Sequence, residues 1–136
     1  MERNPKNTGG VRMSEGIVYN NIGPEKIIEL YDPATGMKGF VCLDSTKRGP
    51  AKGGVRMRPD VTKEEVFRLA RAMSLKCAMA DLPFGGGKSG IVADSRKLSP
   101  DEKKAMVMAY GRALKNLAPS EYVTAPDMKM AEQEMR

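Results

Sequence analysis

The sequence predicts an α/β fold: a layered α/β/α domain on a mixed sheet, an antiparallel hairpin followed by parallel strands. Three observations carry this expectation. Two β-prone runs, KIIELYD and MKGFVCLD, flank a Pro-Ala-Thr-Gly turn. From Thr62 onward, segments with helical apolar spacing alternate with short apolar runs of strand length. Both helical segments open on a capping-box pattern, TKEE and SPDE, which marks where each helix starts.

Taken in order, residues 1–24 are polar, with glycines and two prolines, and read as a loosely ordered arm ahead of a domain over 25–136. The hairpin comes next. Residues 45–60 read as irregular because they are rich in glycine and proline, apart from VRMR as a short strand. Thr62 opens the first helix, with Glu65 three residues on to reach back. Val66, Leu69, Ala70, Met73 and Cys77 recur at spacings of three and four, which gives one buried stripe and an end near Ala80. Residues 81–88 read as a Pro/Gly loop and SGIVAD as a short internal strand. Ser99 caps the second helix, Pro100 takes its first position and Glu102 completes the box. Its apolar stripe is Met106, Tyr110, Ala113, Leu114 and Leu117. EYVTAPD reads as a third buried strand, and AEQEMR as the first turns of another helix.

Composition removes several classes of function. The chain has 136 residues, enough for one domain with one modest core. It contains no histidine, which excludes His-based triads and HExxH zinc sites. Acid–base work must therefore fall to Lys, Asp, Glu, Tyr or Cys. The two cysteines, Cys42 and Cys77, lie in apolar segments with no CxxC pairing and read as buried reduced thiols. The net charge of +6 raises nucleic acid as a partner, but the basic residues are scattered and aromatics make up only 5%. No nucleic-acid-binding signature is present, so no nucleic-acid partner is expected. No apolar run approaches the roughly 20 residues that span a bilayer, and the first residues lack the apolar core of a secretory signal. The expected setting is cytoplasmic, with no membrane partner.

What remains distinctive is three lysines in glycine-rich or apolar surroundings: Lys52 in GPAKGGVRM, Lys76 in AMSLKCAMA and Lys88 in LPFGGGKSGIVAD. Each has an ordinary reading. Lys52 is a turn lysine, Lys76 sits where a helix C-terminus favours a cation, and Lys88 is a solvated loop residue. Gathered in one cleft, however, three ammonium groups bind carboxylates, and crowding makes one of them a usable acid or base. GGGKSG is not a P-loop, because Leu82 stands where the first glycine is required and the stretch precedes a strand. Asp127, in APD, is either a helix N-cap or a functional carboxylate.

GPAKGGVRM, MSLKC, LPFGGGKSGIVAD and APDM, in this order and at these separations, resemble the glutamate/leucine/phenylalanine/valine dehydrogenase family. The likeness is to its N-terminal substrate-binding and oligomerisation domain, from about Ile27 to Met135. The resemblance implies NAD(P)-dependent oxidative deamination of L-glutamate to 2-oxoglutarate and ammonia. It implies that Lys88 is catalytic in water attack and proton transfer, and that Asp127 handles protons at the α-amino group. Lys76 would hold the α-carboxylate and Lys52 the distal carboxylate, with Met73 and Gly54 lining the pocket. Branched-chain and aromatic members carry an apolar residue at the position of Lys52, so its lysine favours a dicarboxylic substrate. Two anionic ends do call for two separate cationic anchors.

Family members continue to roughly twice this length or more, into a Rossmann domain that holds NAD or NADP. The one GxGxxG spacing, GGGKSG, leads into a strand and does not open a helix after one, so no cofactor-binding or metal-binding residue is expected among these residues. The expected partners are glutamate or 2-oxoglutarate, further copies in a homo-oligomer, and a nucleotide-binding half, which could sit on a separate chain. Met130 and Ala131 stand where the family often shows Thr-Asn. A non-catalytic assembly or amino-acid-binding module of the same descent is the alternative expectation.

Overall fold

The computed structural model describes residues 12–14, 16–118 and 120–126. In chain order the elements are β1 (Arg12–Ser14), β2 (Ile17–Tyr19), β3 (Lys26–Asp32), β4 (Met37–Leu43), β5 (Ala51–Arg58), α1 (Lys63–Met79), β6 (Gly85–Val92), α2 (Pro100–Ala113) and β7 (Tyr122–Pro126). β1 and β2 form a small antiparallel ribbon. The other strands make one five-stranded sheet in the order β3-β4-β6-β5-β7. β3–β4 and β4–β6 are antiparallel, while β5 runs parallel to both β6 and β7.

The sheet is covered on both faces, because strand residues alternate between two apolar layers. Val41, Leu43, Ala51, Val55, Met57 and Ile91 point to one face and pack with Val107, Tyr110 and Leu114 of the α2 region. Phe40 and Cys42 point to the other, where Val66, Phe67 and Ala70 of α1 cover them together with Ile17 and Val61. The expected three-layer architecture with a mixed sheet is the one observed.

The helix starts follow from side-chain chemistry. Ser99 accepts from the Glu102 backbone N–H at 3.1 Å and Glu102 accepts from the Ser99 backbone N–H at 3.1 Å, a complete capping box. At α1 only half of the expected box forms. Thr62 accepts from the Glu65 N–H at 3.2 Å, but the Glu65 carboxylate takes Arg56 of β5 instead, at 2.9 Å. α1 closes at Ala80, where Asp81 enters the left-handed region (φ 53) and the Leu82 N–H reaches the Cys77 carbonyl at 2.9 Å.

Several expectations are corrected. Residues 45–60 are not irregular: 51–58 form a full strand whose side chains alternate buried and half-buried. The loop expected over 81–88 ends at Phe84, and Gly85, Gly86, Gly87 and Lys88 already belong to β6. Glycine signals close approach here and not a turn. A Cβ on Gly53 would sit 1.5 Å from the Gly87 carbonyl oxygen, and one on Gly86 would sit 2.2 Å from the Ser74 nitrogen.

Other differences are smaller. β7 is an edge strand of this sheet, although Tyr122 on it is fully buried. α1 buries Phe67 and Ser74 in addition to Val66, Ala70 and Cys77, and leaves Leu69 and Met73 half-buried. Ala113 of α2 is exposed. In the described part of the N-terminal arm, Ile17 is buried against α1 and β4. Both cysteines are free and buried, as expected. Asp127, Met130, Ala131 and the AEQEMR segment lie outside the described residues.

Candidate functional site

β5 and β6 lie side by side and parallel, with Lys52 level with Gly86 and Val55 level with Ser89. Alternation then sets Lys52, Gly54 and Arg56 of β5, and Gly86, Lys88 and Gly90 of β6, on one face. That face belongs to α1. A Cβ on Gly86 would strike Ala70 and Ser74, and a Cβ on Gly90 would strike Val66. The helix therefore runs antiparallel to β6, and its last turn lies over the strand end where Lys52 sits.

Lys88, between those two glycines, is buried beneath the helix at 8% exposure. Cys42 of β4 is its cross-strand neighbour. Burial, with Asp44 adding to it, pushes the Cys42 thiol up to about 12. Cys42 is thus a neutral packing group beside Lys88 and not a nucleophile.

The flank of α1 that faces β5 is identified by the Arg56–Glu65 ion pair at 2.9 Å. Residues 65, 69, 72 and 76 fall on that stripe of the helix, with Met73 beside it. Lys76 in the last turn and half-buried Met73 therefore stand on the side of α1 that looks toward Lys52 and Gly54. Lys76 itself is exposed. Lys52 is half-buried, with its Nζ over the Phe84 ring, 4.9 Å from the centroid.

Behind this face a buried hydroxyl cluster ties the strands together. Tyr110 donates to Ser89 Oγ at 2.9 Å, Ser89 and Tyr122 share a bond of 2.8 Å, and Tyr110 and Thr124 one of 3.3 Å. Tyr122 Oη also lies 3.4 and 3.3 Å from the carbonyl oxygens of Gly53 and Gly54. Burial raises both tyrosines above the usual phenol range. The cluster thus stays neutral and holds β5, β6 and β7 in register beneath the lysines.

On its opposite flank α1 makes a structural contact. Arg71 donates to Asp44 at 2.8 Å and to the carbonyls of Val18 and Gly23 at 3.3 and 3.0 Å. Ser74 donates to the same Asp44 oxygen at 2.7 Å. Among the described residues, surface clefts also open elsewhere, such as one of about 370 Å³ beside Leu75 and Ala78 and another of about 450 Å³ between Arg58 and Arg96. Neither is lined by Lys52, Lys76 or Lys88. Among the described residues no group of His, Cys, Asp or Glu is arranged to hold a metal, and no helix is long and apolar enough to cross a membrane.

The Glu/Leu/Phe/Val dehydrogenase dimerisation-domain family matches residues 24–136. The chain belongs to that family. Glutamate dehydrogenase B of Halobacterium salinarum is 34% identical over 126 residues, covering 87% of this chain and 29% of the relative. The NAD-specific glutamate dehydrogenase of Staphylococcus aureus is 46% identical over 91 residues, 66% of this chain and 22% of the relative. The Leu-bound crystal structure of hetero-hexameric glutamate dehydrogenase from Thermus thermophilus superposes with a TM-score of 0.78 at 38% identity. That superposition covers 82% of this chain and 29% of the Thermus chain. The chain thus spans less than a third of the length of these three dehydrogenases.

Of the residues singled out by the sequence, Lys52, Gly54 and Lys88 share one sheet face, and Met73 and Lys76 stand on the helix flank beside it. Asp127 lies outside the described residues. Sequence reasoning missed Phe84 as the partner of Lys52, and it missed the Ser89–Tyr110–Tyr122 cluster. The register that brings these groups together has no local signature, although Phe84 does stand two residues before the level of Lys52.

Proposed function

We propose that this domain is the substrate-binding and oligomerisation half of a glutamate-dehydrogenase-like oxidoreductase. The reaction is NAD(P)-dependent oxidative deamination of L-glutamate to 2-oxoglutarate and ammonia. The observation that carries this reading is the shared face of β5 and β6, with Lys52 at its rim, Lys88 buried deeper and the Lys76 flank of α1 alongside. Lys52 anchors the distal carboxylate and Lys76 the α-carboxylate, so the substrate is held at both ends. Gly54 leaves room between them, and Met73 supplies an apolar wall for the methylenes. Lys88 then stands at the α-carbon, where it moves a proton and orients water. Asp127 exchanges protons with the α-amino group.

When bound, NAD or NADP would supply the hydride acceptor. The described βα turns, 59–62 and 93–99, carry no glycine to admit a pyrophosphate. The cofactor is therefore held by a nucleotide-binding part beyond these residues, on this polypeptide or a second one. Glutamate or 2-oxoglutarate is the substrate, and copies of the domain associate as a homo-oligomer.

Titration calorimetry of the chain with 2-oxoglutarate tests the anchors. Lys52→Ala and Lys76→Ala each lower affinity by roughly 10- to 100-fold, the value of a lost charge-assisted bond. Supplying the nucleotide-binding half and glutamate then gives NAD(P) reduction that Lys88→Ala abolishes. Turnover unchanged in Lys88→Ala would refute its role. Binding and assembly with no recovered turnover would favour a non-catalytic module.

A further inference from the structure

We propose that Phe84 is the positioning residue for Lys52, and that it sets where the distal carboxylate of a dicarboxylic substrate is held. This rests on the reading of Lys52 as the distal anchor. Lys52 is level with Gly86, which has no side chain to meet it across the strands. Two neighbours bracket that gap along β6. Lys88 lies two residues further on, and Phe84 two residues back, immediately before the strand. Each is roughly 7 Å away along the chain. Cations repel, and an aromatic face attracts a cation. The ammonium of Lys52 takes the ring side, 4.9 Å from the Phe84 centroid.

The contact has two consequences. A lysine stem is flexible and expensive to order, so a ring that already orders it lowers the cost of binding. The ring also covers only one side of the ammonium, leaving other N–H groups for a carboxylate. In addition, it keeps the Lys52 charge away from Lys88. The separation between anchor and reacting lysine therefore follows from a residue that touches no substrate, and with it the length of diacid that fits.

The test compares wild type, Phe84→Leu, Phe84→Tyr and Lys52→Ala, all as the full chain. Lysines are reductively dimethylated with ¹³C, which keeps their charge, and Lys52→Ala identifies the Lys52 methyl signal. In wild type that signal lies upfield of the other lysines through the ring current. It moves to their common position in Phe84→Leu and stays upfield in Phe84→Tyr. Calorimetry then compares 2-oxoglutarate with 2-oxopentanoate, which lacks the distal carboxylate. Phe84→Leu weakens 2-oxoglutarate by roughly two- to fivefold, as expected for a partly exposed cation–π contact. It leaves 2-oxopentanoate unchanged, and Phe84→Tyr restores the loss.

An unshifted Lys52 signal in wild type overturns the proposal, as does an equal loss for both acids, which would mean Phe84 only supports the fold. If Lys52→Ala weakens 2-oxoglutarate but Phe84→Leu does not, the anchor stands and the role of Phe84 falls. If Lys52→Ala has no effect on 2-oxoglutarate, the anchor reading itself fails and this proposal falls with it.

Discussion

Single side chains set most of the sensitive points in this domain. Asp44 is fully buried and its charge is met by Arg71 and Ser74. Asp44→Ala leaves the half-buried Arg71 guanidinium without its counter-ion, and the expected loss is about 3–5 kcal/mol. Urea unfolding of the purified variant measures it, and a loss below about 1 kcal/mol would show that the pair is dispensable. Cys42 predicts a pH dependence. Its thiol is raised from 9.0 to about 12 in the folded chain. Above pH 9 the unfolded chain gives up this proton while the folded chain keeps it, so stability falls as pH rises through that window. The contribution is fully present below pH 9, and the buried Tyr110 and Tyr122 act in the same direction. Urea midpoints taken from pH 8 to pH 11 should decline, and Cys42→Ala should flatten the decline. A flat profile in the native chain would contradict the burial of these groups.

Elements were legible in the sequence wherever a local rule fixed them. Ser99, Pro100 and Glu102 named the start of α2 because all the required groups lie within one turn, and both box bonds form. Ser99→Ala should cost about 1 kcal/mol in the same urea assay. Thr62 was read equally well as a cap, but the reciprocal bond was not foreseeable, because Glu65 is drawn off by Arg56 from a different element. The strands β5 and β6 depart from their local sequence pattern for a related reason. Their glycines look like breakers locally, yet neighbours far away in sequence demand them. Paired substitutions separate the two kinds of glycine. Gly53→Ala would place a methyl group 1.5 Å from the Gly87 carbonyl oxygen, and the expected outcome is a chain that does not fold. Gly111 in α2 has nothing within 4 Å of its would-be Cβ. Gly111→Ala should stabilise the domain by roughly 0.5–1 kcal/mol through helix propensity alone. Thermal melts check both: Gly111→Ala should melt higher than the native chain, and Gly53→Ala should show no cooperative transition.

At the scale of the whole molecule, the layered architecture was readable but the strand order was not. Alternating helix and strand periods declare an α/β domain. Nothing local says that β6 inserts between β4 and β5, or that Lys52 ends level with Gly86. The family motifs nominate the candidate site only as a set of residues, and how those residues are arranged depends on that insertion. The strand at the centre of the sheet carries a further consequence. Gly85, Gly86 and Gly87 are each closed off by a different part of the fold: the Ser45 carbonyl, the α1 backbone and the Tyr122 ring. A library randomised at these positions and screened for folded protein would return glycine at all three. Diversity compatible with the fold lies instead at its entrance and on the helix flank, at Phe84, Met73 and Lys76, where half-buried or exposed side chains can change size without displacing backbone.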